Sequence, residues 1–280
     1  MPTSFDPELI KSLYQPAHDS SGEDNGQVTI IGGSSLFHGA PLLSLKVASR
    51  MVDMVFFASP DKSVGRIAEG LKSRLLSFVW IPWEEVEDYI AKSDAALIGP
   101  GFMRFRSEKV SDKEKVICDE ACQLTKRITE RLLKKFPNKN WVIDAGSLQV
   151  MDPNWIPKNA ILTPNKKEYQ ILFGDLSPQE AAQKYHCVIV LKGPATLVLS
   201  PEKAVEVTNG NAGLTKGGTG DVQAGLTVAL LAKNEPFLAA CSASYLVKRA
   251  ADKLFEKVGT GYSADDLANF LPEVFHNLRK

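Results

Sequence analysis

From residue 27 onward the spacing of apolar positions switches repeatedly between two periods. Short runs rich in β-branched and aromatic residues are followed by stretches whose apolar residues recur every three or four positions. "VTIIGG", "DMVFFAS", "LLSFVW", "DAALIG", "NWVIDA" and "AILT" read as strands. Between them, "APLLSLKVASRMV", "DKSVGRIAEGLKS", "PWEEVEDYIAK", a long charged stretch over 107–136, "KKEYQILFG" and "SPQEAAQKYH" read as helices. The last opens on Ser-Pro with a glutamate at the capping-box position. Apolar strands that alternate with helices predict a mostly parallel sheet covered on both faces. After Cys187 the pattern changes. "CVIVLKG", "ATLVLSP" and "AVEVTNG" follow one another through turns of hairpin length, which predicts an antiparallel edge. Three helical stretches close the chain: "GDVQAGLTVALLAK", "PFLAACSASYLVKRAADKLFEKVG" and "SADDLANFLPEVFHNLRK".

Residues 1–26 are polar, with prolines between short apolar pieces, and lack the apolar middle of a secretory signal. They are expected to form an N-terminal arm with one short helix over 7–14, ahead of a single domain over 27–280. No run of about 18 apolar residues exists to span a membrane. A cytoplasmic location is the expectation. Lys plus Arg and Asp plus Glu number 33 each, so no bulk field favours nucleic acid or an anionic membrane. Of the four cysteines, Cys118 and Cys122 fall one turn apart on the predicted 107–136 helix with no histidine nearby. Reduced structural thiols are expected there, and no metal site.

Candidate chemistry concentrates in "NGNAGLTKGGTGDVQAGL", residues 209–226. Glycines let successive backbone N–H groups converge on one point, and the first N–H groups of a helix carry the positive end of its dipole. Together they form a cradle for phosphate oxygens, to which Thr219 can add a hydroxyl donor. Asp221 then stands where a transferable phosphoryl group would be held, as a candidate general base. The plainer reading of an aspartate at a helix start is an N-cap. The loop is neither a GxxxxGK[ST] phosphate loop nor a GxGxxG fingerprint.

"GGTGDVQAG" resembles the anion-hole motif of the ribokinase-like fold, in the form found among the NAD(P)H-hydrate dehydratases. "VTIIGGSSLFHGAPLLS", "ALIGPGF", "WVIDAGSLQV", "ILTPNKKEYQIL" and "VLKGPATLVLSP" resemble further motifs of that family, in the same order. The resemblance implies a three-layer α/β/α sandwich with a mostly parallel central sheet and an antiparallel edge. It also implies ADP- or ATP-dependent removal of water from hydrated NADH or NADPH, through phosphorylation of the ring hydroxyl and elimination. By that similarity Lys192, Gly193, Pro194, Ala195 and Thr196 line the adenine nucleotide, and Gly217, Gly218, Thr219 and Gly220 hold its phosphates. Asp221 acts as the base, and Ala40, Gly101 and Asn165 meet the hydrated dinucleotide. Mg²⁺ is expected with the nucleotide, its protein ligands unassigned; a homo-oligomer, tetrameric by family resemblance, is expected too.

Four departures stand on the dinucleotide side: Phe102-Met103 after Gly-Pro-Gly, Gly146 for the second aspartate of Asp-Ala-Asp, Gln149 for asparagine, and Asn165-Lys166-Lys167 for His-Pro-Gly. The alternative enzyme reading is an ATP-dependent small-molecule kinase of the same fold, acting on a vitamin precursor or sugar with Asp221 in the same role. A nucleotide-binding protein without turnover is the non-catalytic alternative. On the residues alone, Asn165 can cap the following helix with Glu168 as its partner, Asp144 can cap a turn or bind ligand, and His38 is a loop residue facing solvent.

Overall fold

The computed structural model describes residues 2–71, 75–104 and 118–280. Its strands are β1 (Thr3–Ser4), β2 (Gln27–Ile31), β3 (Met54–Ala58), β4 (Val79–Trp80), β5 (Ala95–Ile98), β6 (Asn140–Ile143), β7 (Ile161–Leu162), β8 (Val188–Leu191), β9 (Thr196–Leu199) and β10 (Ala204–Val207). Helices are α1 (Gly39–Ala48), α2 (Lys62–Leu71), α3 (Val86–Lys92), α4 (Glu120–Lys135), α5 (Ala145–Val150), α6 (Lys166–Phe173), α7 (Pro178–Tyr185), α8 (Thr219–Leu231), α9 (Pro236–Val258) and α10 (Ala264–Arg279). The strands form one sheet in the order β1-β10-β9-β8-β7-β6-β5-β2-β3-β4. From β8 to β4 every pairing is parallel; β9 pairs antiparallel with both β8 and β10. This is the three-layer sandwich with an antiparallel edge that the periodicity predicts.

The two-residue period of the strands feeds two cores. Val28, Ile30, Val55, Phe57, Leu97, Val142 and Val190 point to one face, with α1, α2, α8, α9 and α10. Ile31, Phe56, Ile98, Trp141, Ile143 and Ile189 point to the other, with α3 to α7. Helix α8 is buried on nearly every side, between α1 and α9 and against β5 and β6. A helix so enclosed is held by tertiary packing along its length, which fixes its N-terminus rigidly at the sheet's edge of loops.

The first residues join the sheet. Thr3 and Ser4 pair parallel with Val205 and Glu206, covering the exposed side of β10. A 3₁₀ turn over Pro7–Ser12 follows, capped by Asp6, with Ile10 buried in the first core.

The order of strands reverses between β2 and β5, because the chain grows outward from β2 through β3 and β4 and then returns. Loops at the carboxyl ends of strands beside such a reversal form the natural ligand crevice of an open α/β sheet.

Two expectations are corrected here. The portion of the predicted 107–136 helix over 107–117 lies outside the described residues, and Cys118 and Asp119 are not helical. Helix α4 starts at Glu120 because Asp119 is extended (ψ −176°) and its carboxylate accepts from the Cys122 N–H, a local bond that competes with a continuing helix. The same departure brings Cys118 back over the first turn, with Cα–Cα 5.2 Å, and the two sulfurs are joined as a disulfide rather than left as thiols. Cys187 and Cys241 are free and buried, and burial pushes both thiols up to about 12. Thiol titration of denatured, unreduced protein is therefore expected to count two reactive groups; a count of four would show that the 118–122 bond does not form.

Candidate nucleotide and phosphoryl-transfer site

A cleft of about 670 Å³ opens at the loop ends of β7, β8 and β10 and the mouth of α8. Asn165, Lys192, Gly193, Thr196, Gly220 and Lys248 are among its lining residues. Thr219 and Gly220 at the mouth of α8 line it, while Gly217, Gly218 and Asp221 stand outside that lining. Gly218 is the N-cap of α8 at φ +91°, a left-handed conformation that favours glycine, and a Cβ there would meet Leu43 Cδ1 at 2.4 Å. The helix therefore begins at Thr219, two residues earlier than the aspartate, which places Asp221 at its third position. Asp221 does not cap the helix. That removes the plainer reading and leaves its carboxylate for other chemistry.

The amides of Gly217, Gly218 and Gly220 have no hydrogen-bond partner among the described residues. At a helix N-terminus, such N–H groups attract an anion. Thr219 departs from expectation. Its side chain is buried, and the hydroxyl donates to the Leu214 carbonyl at 2.7 Å and the Lys216 carbonyl at 2.9 Å. It fastens the loop, so the donors left unpaired at the helix mouth are backbone amides.

Lys192 leaves the end of β8, its N–H donating to the Pro164 carbonyl at 2.8 Å. Its ammonium donates to Asp144 Oδ1 at 2.9 Å, and the Thr163 hydroxyl donates to the same oxygen at 2.7 Å. A Cβ on Gly220 would stand 3.5 Å from Lys192 Nζ, so the ammonium reaches the mouth of α8. Burial opposes that charge, but Asp144, Glu168 and Asp221 outweigh it and raise the Lys192 pKa. Asp221 is half-buried. Burial, then the charge of Asp144, pushes its pKa up to about 7, against the opposing pull of Lys192. A carboxylate poised near neutrality beside unpaired amides and a cation can take a proton while its neighbours hold a phosphoryl group.

The other named residues divide between two places. Asn165 lies in the cleft as the N-cap of α6, with a complete capping box: its Oδ1 accepts from the Lys167 and Glu168 N–H groups, and the Asn165 N–H donates to Glu168 Oε2. Pro194 also lines the cleft, while Ala195 sits exposed on the same turn. Ala40 and Gly101 lie outside that lining, on the β2–β5 side. Gly101 (φ +73°) is pressed against Phe37, Pro41 and Gly33, and the Gly33 N–H donates to the Pro100 carbonyl at 2.8 Å. Ala40 lies one helical turn before Ser44, whose hydroxyl donates to the Asp221 carbonyl at 2.7 Å. Helix α1 thus connects the two groups. His38, expected to face solvent, is half-buried with Nε2 3.1 Å from the Ser63 hydroxyl.

The departures in the dinucleotide-side motifs prove to be packed together. A Cβ on Gly146 would fall 2.3 Å from the Phe102 carbonyl oxygen, so glycine there is matched to the backbone path at Phe102. Gln149 donates to Glu168 Oε1 at 3.2 Å, linking it to the Asn165 cap. Sequence reasoning missed Ser44, the Thr163 hydroxyl and Lys248. Only Lys248 left a trace, as a lysine inside the apolar run "SASYLVKRAAD". No cluster of three or more His, Cys, Asp or Glu side chains arranged for a metal occurs among the described residues. No helix among them is long and apolar enough to cross a membrane.

Comparison with known proteins adds to this geometry. The family profile described as NAD(P)H-hydrate dehydratase matches residues 28–273. The bifunctional NAD(P)H-hydrate repair enzyme Nnr of Methanocaldococcus jannaschii is 33% identical over 272 residues, covering 95% of this chain and 51% of that protein. The chain spans about half the length of such bifunctional relatives. An ADP-dependent (S)-NAD(P)H-hydrate dehydratase of Cenarchaeum symbiosum is 28% identical, with 95% of this chain and 94% of that protein covered. Among solved structures, the ADP/ATP-dependent NAD(P)H-hydrate dehydratase of Bacillus subtilis, co-crystallised with ATP and Mg²⁺, superposes with TM-score 0.79 at 22% identity, covering 99% of each chain. A ribokinase-like superfamily protein of Enterococcus faecalis superposes with TM-score 0.79 at 20% identity, covering 99% of this chain and 97% of that one. These two likenesses establish the ribokinase-like fold.

Proposed function

The chain belongs to the NAD(P)H-hydrate dehydratase family, and from that premise we propose that it repairs hydrated NADH and NADPH at the expense of ADP. The observation that carries this reading is the juxtaposition at α8: a carboxylate with pKa about 7 beside unpaired glycine amides and the Lys192 ammonium. The nucleotide lies in the cleft with its base end against residues 192–196 and its phosphates on Gly217, Gly218 and Gly220. The substrate enters from the Ala40, Gly101 and Asn165 side and brings its ring hydroxyl to Asp221.

Asp221 accepts the hydroxyl proton as that oxygen attacks the terminal phosphorus, giving a phosphate ester and AMP. Loss of phosphate together with a neighbouring ring proton restores the dihydronicotinamide. Most of the acceleration comes from position and charge, as phosphoryl transfer requires. A Mg²⁺ arriving on the nucleotide would offset phosphate charge at this site. Residues 27–280 carry the activity, with 1–26 as an arm, in a cytoplasmic homo-oligomer. ADP is the donor assigned here, in keeping with archaeal relatives named as ADP-dependent.

The test is recovery of dihydronicotinamide absorbance from hydrated NADH supplied with ADP, and separately with ATP. Recovery with ADP supports the proposal. Stable phosphorylation of a small alcohol, with no recovery from the hydrate, would replace it with a kinase.

A further inference from the structure

Lys248 comes from the middle of α9 and is 5% exposed, yet it forms no salt bridge among the described residues; Asp252 and Glu206 act on it only through longer-range charge. All three of its protons go to backbone: the carbonyls of Gly193 at 3.2 Å, Pro194 at 2.5 Å and Val207 at 2.9 Å. Two of those carbonyls belong to the turn between β8 and β9 that borders the cleft. The third belongs to the end of β10, where Val207 pairs with Thr196. One ammonium therefore ties the turn to the adjoining strand. The Thr196 hydroxyl closes the same turn by donating to the Gly193 carbonyl at 3.3 Å.

The consequence for the turn follows from peptide geometry. The Pro194–Ala195 bond is trans, so its N–H points opposite to its C=O. With the Pro194 carbonyl held on Lys248, the Ala195 N–H must point away from α9. Ala195 is exposed, and its amide has no partner among the described residues. Pro194 has no N–H to compete. We infer that Lys248 is a positioning residue for the nucleotide: by holding the Gly193 and Pro194 carbonyls against the end of β10 it fixes the Gly193–Thr196 turn, whose Gly193, Pro194 and Thr196 line the cleft. Without the ammonium, the Pro194 carbonyl and the buried Val207 carbonyl lose this donor, Gly193 keeps only the Thr196 hydroxyl, and the turn is no longer tied to β10. The inference rests on the nucleotide reading of the cleft. It gives a role to a buried cation that the phosphoryl chemistry itself does not use.

The experiment measures ADP binding by titration calorimetry and steady-state kinetics in the wild type, Lys248→Met and Lys248→Gln, with thermal melts of each. In a folded variant, Kd and KM for ADP are expected to rise about tenfold or more, while kcat at saturating ADP stays within about threefold. A general loosening of the fold would lower kcat as well, so the split distinguishes positioning from mere stability. ADP affinity within about twofold of wild type in a folded variant overturns the inference. So does failure of both variants to fold, which would make Lys248 a residue of stability alone. A wild type that binds no ADP overturns the nucleotide reading instead, and with it the basis for this role.

Discussion

Replacing Asp221 with asparagine is expected to lower kcat by roughly 10²–10⁴-fold while ADP affinity is kept or improved. Asparagine preserves the shape and leaves the amides of Gly217, Gly218 and Gly220 in place, so the phosphate cradle survives. It cannot accept the hydroxyl proton. Removing a negative charge beside the polyphosphate also relieves repulsion, which is why binding should not weaken. The wild type should show a matching pH profile. Because Asp221 works only when ionised and burial raises its pKa to about 7, kcat/KM should climb with pH below that value and level off above it. Stability runs the other way. Between the unfolded carboxylate's pKa near 4 and about 7, the folded state binds more protons at this site, so its contribution to stability declines as pH rises. Asp221→Asn should therefore melt higher than wild type at pH 8 and show a flatter melting profile between pH 5 and 8. A variant retaining more than about a tenth of wild-type kcat would remove Asp221 from the mechanism.

The second large effect is expected at the Lys192–Asp144 pair. Asp144 is 2% exposed and Lys192 19% exposed, and their contact is 2.9 Å. Lys192→Met leaves the buried Asp144 without its cation, and among the described residues the Thr163 hydroxyl is its remaining side-chain partner. Breaking such a pair costs about 3–5 kcal/mol, a fall in Tm of roughly 10 °C for a chain of this size. The double variant Lys192→Met/Asp144→Asn should recover most of that stability, because neither charge is then stranded. It should not recover ADP affinity, since the cation at the mouth of α8 is gone. Thermal melts and ADP titrations on the four proteins of the cycle separate the two roles. If the double variant is no more stable than Lys192→Met, the ion pair is not what stabilises this corner of the fold.

Much of the architecture was legible in the amino-acid order. The two-residue period of "VTIIGG" or "DAALIG" and the three-to-four period between them placed nearly every strand and helix and the antiparallel edge after Cys187. Those periods are imposed locally, by where successive side chains must point. Strand length was less legible. "LLSFVW" gives only Val79–Trp80, and "AILT" only Ile161–Leu162, because ladder length depends on the partner strand. Helix α5 was not foreseen, since "AGSLQV" is too short to show a period. The glycine loop and Asp221 were visible as chemistry because few structural needs concentrate glycines just ahead of an apolar helix.

The sequence by itself determined the sheet with its two faces, the phosphate-sized turn and the single carboxylate placed beside it, since each depends on local pattern and backbone freedom. Only the tertiary structure decided that Asp221 stands inside the helix rather than capping it, and that the Thr219 hydroxyl is spent on its own loop. It also decided that Lys192 pairs with Asp144 while feeling the charges of Glu168 and Asp221, and that Lys248 grips the turn from fifty-five residues away. Charge state, hydrogen-bond direction and burial arise from groups far apart in the chain, and no local period encodes which of them will meet.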